Sequence, residues 1–219
     1  MIDIELLRSI ELFSELDDAV LQHLLEEAES LTLIRGDVIF EEGSEASDLY
    51  VVESGRVAIG NKSFDGRESM IALMGPGSLF GEMSLFDGLG RSAEARALEA
   101  SVVVAFPFEP LRQLWRDHPE MLWKVIALLT ARLRSMDEAL ADSFFLDVTG
   151  RTAKHLLELA GDNDEFELPI TQEELAGLVG ASRERVNKAL SSFVRLGWIE
   201  QSDRSYRILK RKELEIRSM

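Results

Sequence analysis

The strongest constraint on this chain is an abrupt change of hydrophobic period. No glycine or proline interrupts residues 120–149, and within them Leu122, Ile126, Leu129, Leu133, Met136, Leu140 and Phe144 advance mostly in alternating steps of four and three. That spacing keeps one narrow side of an α-helix apolar, the a/d seam of a helix pair. Two arrangements satisfy it: a helix laid on its own domain, or a helix paired in parallel with a second copy of the chain. About three heptads of seam, bordered by Arg132, Arg134, Asp137 and Glu138, favour the pair.

The stretch before it reads differently. Short apolar runs at Leu31–Ile34, Val38–Phe40, Leu49–Val52, Val57–Ile59, Met70–Met74 and Val102–Phe106 are separated by turns bearing Gly36, Gly43, Gly55, Gly66, Gly75, Gly77, Gly88 and Gly90. Many short strands at such spacing predict a barrel or jelly roll, and Asp65-Gly66 is a hairpin dipeptide. Residues 1–29 carry apolar positions at helical spacing, among them Leu7, Ile10, Phe13, Leu21 and Leu24, and predict short helices. After Gly150 the signals change again. A helix over Arg151–Ala160 stops at Gly161, and an acidic turn covers Asp162–Glu167. Thr171-Gln172-Glu173-Glu174 is a capping box opening a helix to Val179. Gly180-Ala181 makes a tight turn, Ser182 caps a helix running to about Leu196, and Gly197 ends it. Trp198–Glu200 and Tyr206–Leu209 can pair as a hairpin across Ser202–Arg204, the wing of a winged helix.

Two helices joined through a glycine turn predict a helix-turn-helix whose second helix enters a DNA major groove. At about 100° per residue, Val186, Ala189, Leu190 and Phe193 of that helix share one side, and Arg183, Glu184, Asn187, Lys188 and Ser191 the other. Arg and Lys donate to guanine O6 and N7, and Glu accepts from cytosine N4; the Thr171 and Ser182 hydroxyls suit phosphates. Any one of these residues alone is an ordinary solvated side chain; the arrangement carries the reading. A net charge of −16 taken over the whole chain opposes it. Residues 150–219, however, hold 12 Lys+Arg and 12 Asp+Glu, so the whole acidic excess lies in residues 1–149. That excess repels DNA from the first part and leaves the neutral second part to approach it.

A second constellation lies at Gly75–Phe86, read as turn, short strand and one helical turn, followed by Arg91-Ser92-Ala93. Gly81 permits close backbone approach, Arg91 supplies charge and Ser92 a hydroxyl, which together suit a phosphate. Glu82 beside a phosphate would be repelled unless it met something else, such as a ribose hydroxyl.

Residues 170–199 closely resemble the helix-turn-helix of the cyclic-AMP receptor protein (catabolite activator) family of the CRP/FNR superfamily, on Ser182, Arg183, Glu184 and Lys188. Gly81–Ser92 resembles the phosphate-binding cassette of the same family, and the likeness extends along nearly the whole chain. It implies an α+β chain in three parts. These are a sensing domain at 1–118 (N-terminal helices and a cyclic-nucleotide-binding β jelly-roll barrel), a dimerisation helix and hinge at 119–147, and a winged helix-turn-helix at 148–219. It implies a cyclic nucleotide, cyclic AMP first, held by Gly81, Glu82, Met83, Ser84, Arg91 and Ser92, with Glu82 on the ribose 2′-hydroxyl and Arg91 and Ser92 on the phosphate. It implies a homodimer through Leu122, Ile126, Leu129, Leu133, Met136 and Leu140. Its DNA would be a palindromic operator with TGTGA-like half-sites, with RNA polymerase as a possible further partner.

There are departures. The family's adenine-binding helix positions fall on Met136 and Asp137. Met136 is neither a good donor nor a good acceptor, whereas Asp137 can accept from an amino group. Glu173 stands where relatives carry a phosphate-contacting Gln, and Lys188 replaces a frequent Arg by a point donor. A constitutive regulator of the same fold, with a pocket that no longer responds, is therefore a second reading.

A jelly-roll metalloenzyme is a distant third reading, because the histidines (His23, His118, His155) lie outside the barrel strands and no nucleophile–base set is visible. The absence of cysteine excludes disulfides and thiolate metal sites, and with no barrel histidine it argues against haem. No apolar run is long enough to span a membrane, and the amphipathic, acidic N-terminus is unlike a signal peptide, so a cytoplasmic protein is expected.

Overall fold

Near-continuous apolar runs such as Leu49–Val52 and Val102–Phe106 need cover on both faces. The computed structural model, which describes residues 4–62 and 68–219, shows what supplies it. Eight strands form two four-stranded antiparallel sheets, the jelly-roll plan. They are β1 (Glu29–Leu33), β2 (Val38–Phe40), β3 (Asp48–Ser54), β4 (Val57–Lys62), β5 (Glu68–Met74), β6 (Leu79–Phe80), β7 (Glu94–Ala97) and β8 (Ser101–Pro107), in the orders β1-β8-β3-β6 and β2-β7-β4-β5. Along β3, Tyr50 and Val52 face a cluster between the sheets, with Phe80, Ala95 and Val103. Leu49 and Val51 face a second cluster with helices α1 (Ile4–Arg8), α2 (Asp18–Glu26) and α4 (Phe108–Asp117), through Leu7, Leu21 and Leu111, joined by Phe13 from the segment between α1 and α2. Period-two alternation thus serves two cores from one strand. The Asp65-Gly66 turn lies outside the described residues.

The β7 strand has no counterpart among the apolar runs. Its inward residues are Ala95 and Ala97, both buried, alternating with Glu94 and Arg96. A methyl group fills the face without making the segment read as hydrophobic.

The long helix is α5 (Leu122–Phe145), entered from a single 3-10 turn at Pro119–Met121. Only Val125 on it is fully buried. Leu129 packs partly on the cluster shared with α1, α2 and α4, while Leu122, Ile126, Leu133, Met136, Leu140 and Phe144 are exposed. The helix breaks at Leu146-Asp147, and α6 (Val148–Ala160) begins with Asp147 as its cap, the Gly150 N–H donating to Oδ1 at 2.8 Å. That N–H chiefly holds the Asp147 carboxyl below its usual range, and Arg217 adds to it against the opposing effect of burial. No helix among the described residues is long and apolar enough to cross a membrane.

The chain divides into two units: one holds the described residues up to the end of β4 together with Ile71–Leu133, and the other holds Arg134–Met219 with the first residues of β5. In the second unit α6, α7 (Gln172–Val179) and α8 (Arg183–Arg195) pack together, followed by β10 (Ile199–Ser202), β11 (Ser205–Ile208) and α9 (Arg211–Arg217). The predicted wing is present, β10 pairing with β11 in antiparallel register. The acidic turn is a correction. Glu165–Glu167 is a strand, β9, paired to β11 because Phe166 stacks on Tyr206 at 5.7 Å and Glu165 meets Arg207 at 2.7 Å. Its charged flanks hid a single anchoring aromatic. The short α9 went unread for the same reason, since Leu214 is its one buried residue.

Both predicted caps form. Glu174 N–H donates to Thr171 Oγ1 at 3.2 Å, and Thr171 N–H to Glu174 Oε2 at 2.7 Å. Thr171→Ala should destabilise the second unit by about 1 kcal/mol. A denaturant melt followed by Trp198 fluorescence checks this, and an unchanged midpoint would show that the cap carries no weight.

Candidate functional site

Gly81 sits at φ +80°, and a Cβ there would lie 2.7 Å from Arg91 Nη1. The glycine is needed for the backbone angle and for the closeness of the guanidinium. Gly81, Glu82, Met83, Ser84, Arg91 and Ser92 line one cleft, together with the rings of Phe40 and Phe80 and the guanidinium of Arg132. The cleft opens to solvent and holds a cavity of about 60 Å³. Helix α3 (Met83–Asp87) follows Glu82 directly.

Arg91 is 4% exposed. Its Nη1 donates to Gly81 O at 2.8 Å and its Nη2 to Asp48 O at 2.7 Å. The guanidinium lies 4.2 Å from the Phe40 ring centre and 5.4 Å from that of Tyr50. Burial holds it below its ordinary, very high pKa and pushes the Tyr50 phenol up, changing the charge of neither near neutral pH. Carbonyl dipoles and ring faces partly solvate the cation, yet among the described residues no carboxylate forms an ion pair with it, and its Nε has no partner. Glu82, 2% exposed, accepts from Arg132 through Oε1, while its Oε2 is unpartnered. The Ser92 hydroxyl donates only to the Met83 sulfur, at 3.5 Å, a weak acceptor.

Arg132 is a cleft residue that the sequence reading left on the border of the seam. From α5 it donates to Glu82 and to Leu79 O. The signal was its place one helical turn before Met136, on the same face. Met136 and Asp137 do not line this cleft; both lie on the part of α5 belonging to the second unit, where Met136 is 63% exposed.

In the second unit, Val186, Ala189, Leu190 and Phe193 of α8 are buried, whereas Arg183, Glu184, Lys188 and Ser191 are exposed. Asn187 is half-buried at the edge of the exposed face, its Oδ1 without a partner. Gly180, at φ +65°, carries the left-handed turn that ends α7 and leads to α8. Arg185 N–H donates to Ser182 Oγ at 3.4 Å. Accepting at a cap leaves both cap hydroxyls, Thr171 and Ser182, a proton to donate. Arg183 Nη1 lies 4.0 Å from Glu173 Oε2, both side chains exposed.

Comparison with known proteins assigns both parts of the chain to described domain families. The family description of a cyclic nucleotide-binding domain matches residues 31–118, and that of a Crp-like helix-turn-helix domain matches residues 150–217. The chain is a DNA-binding transcription regulator with a cyclic-nucleotide-binding domain. It is 37% identical, over 98% of its length and 99% of the relative's, to a protein of Mycobacterium tuberculosis (strain ATCC 25618 / H37Rv) described as a CRP-like cAMP-activated global transcriptional regulator. On that likeness it belongs to the CRP family of transcription regulators, which sets aside the metalloenzyme reading. Among solved structures, FixK2 from Bradyrhizobium japonicum shares the fold, with a TM-score of 0.80 at 22% identity over 88% of this chain and 98% of that one. The global regulator CLP of Xanthomonas campestris, described as c-di-GMP responsive, is 26% identical with a TM-score of 0.76 over 88% of this chain and 99% of that one.

Arg91→Met keeps most of the side-chain volume but strands the Gly81 and Asp48 carbonyls. It should destabilise the first unit by about 1–3 kcal/mol. A thermal melt of the ligand-free protein checks this, and an unchanged transition would show that Arg91 does not hold these loops.

Proposed function

We propose that this chain is a dimeric, operator-reading regulator gated by a cyclic nucleotide, with cyclic AMP the first choice. Arg91 carries the reading. A buried cation that feels the Asp48 and Glu82 charges only from beyond ion-pair contact is electrostatically incomplete, and an anionic phosphate beside Ser92 would complete it. The unpartnered Oε2 of Glu82 can accept from a ribose hydroxyl, so both deficits are met by one sugar phosphate. Gly81, Met83 and Ser84 shape the wall of the site. The description of the M. tuberculosis relative as cAMP-activated supports the choice of base.

The sensing part is residues 1–118, the dimer helix and hinge 119–147, and the reader 148–219. The exposed seam of Leu122, Ile126, Leu133, Met136 and Leu140, with Leu129 at its edge, is the face for a second copy; burial of such a stripe drives pairing. A two-fold dimer would present two α8 helices to half-sites about 34–36 Å apart. Arg183, Glu184, Asn187 and Lys188 would read bases of TGTGA-like half-sites, with Thr171 and Ser182 on phosphates. Gating is a population shift: the ligand must favour one arrangement of the dimer helices and hinge.

One observation favours a second reading, a constitutive regulator. Arg132 satisfies half of Glu82 from within the chain; the sequence adds that Met136 offers an adenine no hydrogen bond. Titration calorimetry with cyclic AMP, cyclic GMP and cyclic di-GMP separates the readings. Binding of cyclic AMP, lost in Arg91→Met, is expected; absence of heat with all three at about millimolar concentration would establish the constitutive form.

Arg183→Ala should cost about 1–3 kcal/mol of operator binding and relax preference at one base position. Binding assays on single-base operator variants check this. Equal loss on every sequence would reduce Arg183 to a phosphate contact.

A further inference from the structure

Among the helix-end backbone carbonyls of the second unit that receive no backbone N–H within the described residues, two share one side-chain donor. One is Leu146 O, at the break between α5 and α6. The other is Val179 O, in the last turn of α7, directly before the Gly180 turn. The same guanidinium meets both: Arg151 Nη1 donates to Leu146 O at 2.7 Å, and Arg151 Nε to Val179 O at 2.9 Å. Arg151 stands on the first turn of α6, between the two.

We infer that Arg151 is a positioning residue that ties the hinge at Leu146 to the turn that sets the DNA-reading helix, and so fixes the half-site spacing the protein accepts. The chemistry suits that task. Guanidinium N–H groups diverge at fixed angles, so one rigid plane serves two acceptors at once. Both acceptors lie at or just past helix C-termini, where the backbone dipole favours a cation. A flexible ammonium could serve either carbonyl but has no rigid plane joining them.

Neighbouring contacts fasten the hinge side of the strut. Lys154 of α6 pairs with Asp142 of α5, and Arg217 of α9 pairs with the cap Asp147. Gly150 packs so closely on Arg217 that a Cβ would lie 3.0 Å from its Nη1 and from its carbonyl oxygen. Of these cations only Arg151 also reaches α7. A rotation of α5 relative to α6 must therefore break the Leu146 bond or be passed to Val179, Gly180 and the start of α8.

This inference rests on the operator-reading function proposed above, and the test separates the two. Full-length wild type, Arg151→Lys and Arg151→Gln would be compared by circular dichroism, thermal melting and binding to operators whose half-sites are separated by the natural spacing or by one base pair more or less. The folded variants should bind the natural operator roughly tenfold more weakly, the size of one charge-assisted hydrogen bond. They should also lose most of the discrimination against altered spacing. Arg151→Lys keeps the charge, so a spacing effect in that variant belongs to geometry. Folded variants that keep the wild-type spacing preference, whether affinity falls or not, would overturn the inference and leave Arg151 a stability or phosphate contact. Failure of wild type to bind any palindromic operator would overturn the proposed function itself, and the strut with it.

Discussion

Arg91 is the interaction on which the sensing unit depends. Its guanidinium joins the cassette at Gly81 to the start of β3 at Asp48, and its backbone N–H donates to Ser44 O at 2.9 Å. Loop, cassette and barrel thus meet at one buried cation whose charge is softened by carbonyls and rings but not cancelled. Desolvating a cation is expensive unless something offsets it. Here the local offset is partial, and the remainder is what the proposed phosphate would supply. Glu82 shows the complementary deficit, one carboxylate oxygen held by Arg132 and the other without a donor.

The reader depends on a different principle. Its helices are short, and short helices are marginal without caps and packing. Asp147, Thr171 and Ser182 each place an oxygen on a free N–H at the start of α6, α7 and α8. Gly161 and Gly180 end the first two of these helices. With its ends defined, α8 turns Val186, Ala189, Leu190 and Phe193 inward and leaves its polar side to solvent. Near-neutral net charge in this part is no obstacle, because the exposed α8 cations Arg183 and Lys188 stand apart from the acidic first unit's sequence.

Much of this was legible in residues 148–219. Caps and glycine stops are local chemistry, written within four residues of the position they govern, and α6, α7, α8 and the wing follow them closely. Segments whose structure rests on one distant contact were not legible: β9 on Phe166 against Tyr206, α9 on Leu214, and β7 on two alanine methyls. In the cleft, the cassette residues were legible by type and spacing. Arg132 was marked only by its place one helical turn before Met136, because its partner Glu82 lies 50 residues earlier.

By itself the sequence determined the classes of element, the seam on α5, the inward and outward faces of α8, and the pairing of a phosphate-suited cassette with a DNA-suited helix. All of these depend on periodicity and local hydrogen bonding. Only the tertiary structure decided that Arg91 is buried without a direct ion pair, that Arg132 occupies Glu82, and that Arg151 joins Leu146 to Val179. Each is a meeting of groups brought together by packing. Whether a charged side chain is solvated or buried, paired or unpaired, is a property of that packing and cannot be read from the residue's own neighbours in the chain.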